Sequence, residues 1–349
     1  MKKPVLTLII LGICSVFSYT PSGAGQLSKI TIKMSTLAPK KSGIMNIIEE
    51  FRAQVRDKTD NEVDFKIYAG GVQGDDSDVL RKIRLGQLHG AFLTGFGLGQ
   101  IAPQVRVREI PFMFRNREEV SYVRTKLEET MKAFFKDKGF EVLGWHDIGL
   151  VYIFSKEPIH SIEVLRKQKC WVWGDDPLIS AAFKAIGISP IPLSITDVLT
   201  SLSTNLIDNA GNTPFGAVAF RWHTKFKYMT DLPAGNAVGG AVITSEIWDK
   251  ISSDSQKKIK ALARVYFDRL TEASIETDER SIEILKNAGI KITPFLNSER
   301  DFNYLIQMGK KAGESVIGKL YSRELLDQTR SLLDQYREAH PDSTYVRIK

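Results

Sequence analysis

The chain has 349 residues, enough for two domains, with 43% hydrophobic and 26% charged residues, as in ordinary globular proteins. A net charge of +7, with acids and bases mixed along the chain, is too weak and too dispersed to argue for a nucleic-acid partner. Two cysteines and five singly scattered histidines form no metal-spaced set, so neither a metal nor a cofactor is expected.

The N-terminus reads as a cleaved secretory signal over residues 1–24. Lys2 and Lys3 form a basic region, and Val5 to Phe17 is an apolar run too short to span a bilayer comfortably. Pro21-Ser22-Gly23-Ala24 places small residues at −3 and −1 of a cut after Ala24. An uncleaved anchor is the alternative. Leu11 to Cys14 suggests a lipoprotein site only faintly, because Ile13 suits that motif poorly. The signal implies a periplasmic protein. Without Cys14 the mature chain keeps Cys170 alone and has no intramolecular disulfide; Cys170 reads as a small buried strand residue.

Lys29 to Met34 alternates polar and apolar residues and predicts a strand ending in a loop, Ser35 to Pro39. Ile44, Ile47, Ile48, Phe51 and Val55 share one side of a helix over Gly43 to Thr59. Glu62 to Tyr68 alternates again, so the chain opens β-α-β, the start of a parallel sheet. The loop Gly70 to Asp76, with Gln73 in it, precedes a helix over Ser77 to Leu85. It lacks the spacing of phosphate- and dinucleotide-binding loops, and Asp75 and Asp76 read as helix caps. Ala91 to Thr94 is a short strand, and Thr94 to Gly97 offers flexible backbone with Phe96 at the strand end.

Val107 to Phe114 is apolar around a central proline, and Arg117 to Gly139 is a long amphipathic helix. Phe140 to Trp145 predicts one strand and Leu150 to Ser155 a second, crossing one. Between them His146 reads as a lone structural or solvent-facing histidine. Thr196 to Leu202 is a short helix, Asn205 to Asp208 a turn and strand, Asn212 to Phe215 a polar and aromatic turn, and Gly216 to Tyr228 a helix. The glycine-rich strand Gly235 to Thr244 crosses back. Long amphipathic helices fill Asp254 to Ala288 and Ser298 to His340, split by a strand at Ile290 to Thr293, and the tail Pro341 to Lys349 reads as loose.

The stretch Cys170-Trp171-Val172-Trp173-Gly174-Asp175-Asp176-Pro177 stands out. It is a strand that stops at a polar turn before a helix ending at Gly187, the kind of strand end where open α/β sheets bind ligands. Trp171 and Trp173 alternate and should share a face. Either indole could equally be core.

Taken in order, Leu37-Ala38-Pro39, the Gly70 to Asp76 loop, Ile110-Pro-Phe-Met-Phe-Arg115, Gly144-Trp145, Ala182 to Gly187, and Asp197 to Leu202 through Ile207-Asp208 to Asn212-Thr-Pro214 carry a resemblance. From about Lys29 to about Leu325 the chain resembles the substrate-binding subunits of TRAP (tripartite ATP-independent periplasmic) transporters, of the dicarboxylate-receptor family. The resemblance implies a two-lobe α/β periplasmic binding protein, type II-like, with crossing strands and long C-terminal helices. Lobe I would hold residues 25–151 and about 236–280; lobe II, about 152–235 and 281–325; residues 326–349 would form a helix end and tail. Its partners would be a small-molecule ligand and TRAP-type membrane subunits, with an additional periplasmic partner protein as a further option.

The resemblance also places a carboxylate-binding arginine at Trp171 and a second arginine on or near Val151. Neither is an arginine here. Tryptophan cannot copy the planar guanidinium fork that holds a carboxylate. The expected ligand is therefore apolar or aromatic rather than a simple dicarboxylate. The alternatives are an organic acid held by a displaced cation (Arg221, Arg108 or Arg84, all placed at the surface by periodicity) and a sensory or interaction protein that reuses the fold. Candidate cleft residues are Trp171, Trp173, Asn212, Phe215, Trp145, Asp147, Phe96, Gln73, Ile195 and Asp175. A structural role remains open for each, and Asp175 reads first as a turn or cap residue. No nucleophile elbow or zinc-protease motif is present, so no enzyme is expected. Trp171→Ala is expected to weaken binding and leave the fold largely intact.

Overall fold

The computed structural model describes residues 29–348; the expected signal peptide lies outside them. The chain opens with β1 (Ile30–Ser35), α1 (Gly43–Lys58), β2 (Val63–Tyr68), α2 (Asp76–Arg84), β3 (Gly90–Thr94), α3 (Gly95–Ile101) and α4 (Arg117–Lys136). Then come β4 (Phe140–Ser155), α5 (Ile162–Lys167), β5 (Trp171–Trp173), α6 (Pro177–Ala185), β6 (Ile191–Leu193), α7 (Val198–Ser203), β7 (Asn209–Asn212) and α8 (Pro214–Ala219). The chain finishes with β8 (Tyr228–Thr230), β9 (Gly235–Thr244), α9 (Ser245–Trp248), α10 (Ser253–Asn287), β10 (Lys291–Thr293), α11 (Glu299–Ser315) and α12 (Arg323–Ala339). Short 3₁₀ turns cover Pro103–Glu109, Ile195–Asp197 and Trp222–Thr224.

The main sheet runs β10-β8-β4-β9-β3-β1-β2, with β7 also on β4; β5 and β6 form a separate parallel pair. The opening β-α-β places β1 parallel to β2, as the alternation requires. Strands β4 and β9 run antiparallel from Phe140 opposite Thr244 to Val151 opposite Gly235, and β4 then continues beside β7 and β8. One strand pair therefore joins two lobes, each with its own core. Around β1, α1 and α10 pack Ile32, Phe51, Phe65 and Phe267. Around β4, β5 and α7 pack Phe154, Trp171, Val198 and Trp222.

Several elements differ from what the sequence suggests. The two strands expected at 140–145 and 150–155 are one continuous β4, bent by register shifts at Val142/Gly144 and Asp147/Gly149. Gly149 has φ +147, and a Cβ there would lie 2.2 Å from Asp278 Oδ2. Gly149→Ala should lower the unfolding free energy by about 1–3 kcal/mol, read from urea titration with the circular-dichroism signal retained. The flexible backbone expected after β3 is α3. The helix expected over 216–228 ends at Ala219, because Arg221 takes the left-handed conformation at φ +61, and the chain turns into β8. The strand expected at 205–208 lies at Asn209–Asn212.

The last long helix is two helices. Gly318, at φ +78, turns the chain, and Ser322 caps α12 through Leu325 N–H. The tail is not loose. Tyr345 Oη donates to Phe112 O at 2.7 Å, Val346 N–H to Arg115 O at 3.0 Å and Ile348 N–H to Asp231 O at 2.8 Å. Its backbone groups find partners on the body, which a periodicity pattern cannot show.

Candidate functional site

Between the lobes lies a cavity of about 360 Å³, walled by the ends of β3, β4, β5 and β7 and by α6, α8 and α11. Its surface is largely aromatic and aliphatic. Trp171 and Trp173 both face it, with ring centroids 6.2 Å apart, as the two-residue period of a strand demands. Phe96, Ile195, Asn212 and Phe215 line it as well. The two positions that the resemblance assigns to arginine, Trp171 and Val151, are both in the wall.

Each indole has a structural partner. Trp171 Nε1 donates to Leu193 O at 3.0 Å across β5 and β6, and its ring meets Trp222 edge-on at 5.4 Å. Trp173 stacks on Phe96 from the opposite lobe, with centroids 5.2 Å apart. Its Nε1 donates to Asp75 Oδ2 at 3.4 Å.

Four candidates do not reach the cavity. Trp145 and Asp147 occupy the other face of β4. Trp145 packs edge-on to Phe135 in the lobe core, and Asp147 pairs with Arg124 at 3.1 Å beside a smaller cavity. The bulge at Asp147/Gly149 shifts the alternation by one. His146 and Ile148 before it, and Val151 and Ile153 after it, are the cavity residues. Gln73 points away, its side-chain and backbone oxygens both accepting from Lys82 Nζ. Asp175 is exposed at its turn, and its neighbour Asp176 is the helix cap. Likewise Asp75, and not Asp76, caps α2.

The charged wall residues went unseen in the sequence. Arg106 reaches Asp176 Oδ2 and Glu109 Oε2, each at 2.5 Å, and all three side chains are buried. Glu109 also accepts from Val238 N–H at 2.8 Å. Burial pushes the Glu109 carboxyl up even with Arg106 alongside. Only the Arg-x-x-Glu spacing of Arg106 and Glu109 hinted at the pair. His146, expected to be structural or solvent-facing, is buried in the wall. Burial, with Arg124 nearby, drops it to about 4, so the imidazole is neutral at pH 7. Among the described residues, His146 Nδ1, Asn212 Nδ2 and both polar side-chain atoms of Asn236 are buried without a hydrogen-bond partner. All three residues line the cavity, and native proteins seldom leave such groups unpaired.

The cations considered as displaced carboxylate binders lie elsewhere. Arg84 and Arg221 are exposed. Arg108, expected at the surface, is 2% exposed and sits 4.8 Å over the Trp145 ring, outside the cavity lining. Cys170 is buried, and desolvation raises its thiol to about 11, which keeps it unreactive.

Two buried carboxylates flank the site. Asp76 accepts from Thr94 N–H, Thr94 Oγ1 and Gly97 N–H, and Asp278 accepts from Phe215 N–H and pairs with Arg117. Burial outweighs these partners and pushes each up to about 7, against 3.8 for an ordinary aspartate. A raised carboxyl binds its proton more tightly when folded, so its stabilisation is full below pH 3.8 and is lost as pH rises through about 7. The urea midpoint should fall between pH 5 and pH 8. Asp76→Asn, which keeps an acceptor oxygen, should flatten part of that slope.

Two lobes joined by crossing strands, with a buried solute-sized cavity between them, define an extracytoplasmic solute receptor. The chain belongs to a family described as bacterial extracellular solute-binding protein, family 7, whose model matches residues 34–303. It is a substrate-binding subunit of the TRAP type, a receptor and not an enzyme. Among its relatives is the ectoine-binding periplasmic protein TeaA of Halomonas elongata, 23% identical over 83% of this chain and 84% of that protein. Another is the 2,3-diketo-L-gulonate-binding periplasmic protein YiaO of Escherichia coli, 23% identical over 70% of this chain and 75% of that one. The fold is shared with a TRAP periplasmic solute-binding protein from Desulfovibrio salexigens with bound orotic acid. That match has a TM-score of 0.81 at 20% identity, over 87% of this chain and 99% of the other. A Chromohalobacter salexigens protein with bound D-glucuronate gives a TM-score of 0.78 at 20% identity, over 86% and 99% of the two chains. These relatives are periplasmic proteins, and periplasmic localisation follows the family.

Proposed function

We propose that this receptor captures a small, uncharged solute with a substantial aromatic or apolar part and delivers it to TRAP-type membrane subunits. One observation carries the reading. Trp171 and Val151, to which the resemblance assigns carboxylate-binding arginines, both line the cavity, and the wall arginine, Arg106, is already paired with Glu109 and Asp176. Burying apolar solute surface contributes roughly 25 cal/mol per Å², so an aromatic ring between the lobes replaces the missing ion pair. Asn212, Asn236 and His146 supply the unpaired polar atoms that read the solute's polar edge. Closure turns on the crossing strands near Leu150 to Phe154 and Ala234 to Gly240, and the solute stabilises the closed form through contacts absent in the open one.

Relatives named for ectoine or diketogulonate, and structures holding orotate or glucuronate, bind more polar solutes. The indole at Trp171, where the resemblance expects an arginine, is the feature on which this reading departs from those ligands. The reading is tested by releasing solutes from receptor purified under native conditions and identifying them by mass spectrometry. Stoichiometric recovery of a dicarboxylate, with no aromatic or apolar solute, would falsify it.

A further inference from the structure

We propose that the smaller cavity, on the other face of the crossing strands, is a second binding site, built for a small zwitterion such as glycine. It is separate from the solute cavity and does not depend on what that cavity holds.

This cavity measures about 180 Å³, far more than the roughly 10–15 Å³ that one water needs. It lies between the start of α4, the crossing strands β4 and β9 and the middle of α10, which give it Arg117, Asp147, Asn236 and Thr271. Two of its wall charges are only half used. Arg117 Nη2 donates to Asp278 Oδ2 at 3.2 Å, while Nη1 is buried with no partner. Asp147 Oδ2 accepts from Arg124 Nε at 3.1 Å, while Oδ1 is buried with no partner. The two free atoms do not pair with each other. Other contacts hold them: Asp147 N–H donates to Thr271 Oγ1 at 3.2 Å, and Arg117 is tied to Asp278. Asn236 is 6% exposed, and both polar atoms of its carboxamide are unpaired. Asp147 lies opposite Val238, so the two-residue period of a strand puts Asn236 on the same face of the pair.

The free atoms set the chemistry of the occupant. A lone anion would satisfy Arg117 and face Asp147 as a like charge; a lone cation would do the reverse. Either leaves a buried charged group unmet, which costs more than an ordinary hydrogen bond contributes. A zwitterion meets both, with its carboxylate on Arg117 Nη1 and its ammonium on Asp147 Oδ1. Glu118 also borders the cavity, but it is exposed, so water screens its charge. Leu150, Ala237 and Ile275 make the rest of the wall apolar, and the volume is half that of the solute cavity. The occupant therefore carries little beyond its two charged groups. Asn236 and Ala237 line both cavities. A carboxamide has two N–H donors and an oxygen with two lone pairs, so Asn236 can meet an occupant on each side.

The experiment is calorimetric titration of the whole receptor with glycine, acetate, methylammonium and acetamide. Glycine is expected to bind saturably, one to one. Each of the other three should bind about tenfold or more weakly, because each leaves at least one wall charge without its counter-charge. Two variants locate the site. Asp147→Asn removes the charge that meets the ammonium, and Ser121→Phe fills the cavity from α4 without altering Arg117 or Asp147. Each should lower glycine affinity about tenfold or more, with circular dichroism checking that the variant is folded. Absence of saturable glycine binding would mean that the cavity holds water only. Acetamide binding as well as glycine would remove the zwitterion. Wild-type glycine affinity in either folded variant would move the binding elsewhere. Each of these results overturns the proposal, and none of them bears on the solute recovered from the larger cavity.

Discussion

Trp171→Ala is expected to lower the unfolding free energy by about 3–5 kcal/mol, the range for removing a buried aromatic side chain, and to weaken solute binding as well. Trp171 is 7% exposed, meets Trp222 edge-on and ties β5 to β6 through its indole N–H. The truncation removes the plate facing the solute and opens a hole beside Trp222, Ile195 and Val198. The expectation from sequence, that the fold would be largely untouched, changes for this reason. The two losses are separated by Trp171→Phe, which keeps most of the volume and loses the bond to Leu193. Its urea midpoint should lie between those of the wild type and Trp171→Ala. Calorimetry with the solute recovered from native receptor should show binding weakened in both variants. Wild-type affinity in a folded Trp171→Phe would remove the indole from the site.

Glu119→Gln is expected to cost about 1–3 kcal/mol, because it removes the charge of a buried carboxylate whose partner, Arg337, is half-buried. Glu119 is fully buried in the first turn of α4. It takes Arg337 of α12 by two hydrogen bonds, each at 2.8 Å, and accepts from Arg115 N–H and Ser343 Oγ. Burial works to raise this carboxyl, but Arg337 and the other donors outweigh it and hold it below the ordinary glutamate value. A lowered carboxyl stabilises the fold above its unfolded pKa, and that contribution is lost as pH falls through the folded value. Glu119→Gln should therefore destabilise most at neutral pH, and its difference from the wild type should shrink in acid. Because Glu119 also anchors Ser343, proteolysis in the variant should begin at the tail. A urea midpoint within error of the wild type at pH 7 would show that the network adds nothing.

Much of the scaffold was legible in local pattern. Gly235 to Thr244 is a strand over its full predicted length, and the opening β-α-β has its expected parallel pairing. Alternation alone put Trp171 and Trp173 on one face, and both reach the cavity. Trp145 and Asp147, placed in the cleft because they sit near a strand end, lie on the other face of β4, where the inward set changes at the Gly149 bulge from His146 and Ile148 to Val151 and Ile153. A bulge depends on the partner strand, and a single chain read locally does not contain it. The same limit hid Arg106 and Asp176, seventy positions apart in sequence and joined only when the lobes meet.

The sequence by itself determined the strands and helices that local pattern marks, and the ordered motifs, through the family resemblance, the class of receptor and its two-lobe α/β architecture. Hydrophobic period, turn residues and motif order are all local. The tertiary structure alone decided which residues form the cavity and what becomes of the wall arginine, Arg106. Arg106 is a surface-compatible residue in sequence. Only folding encloses it between Glu109 and Asp176, where its charge is already satisfied. In a low-dielectric interior, pairing is set by distance through space, and distance along the chain does not report it.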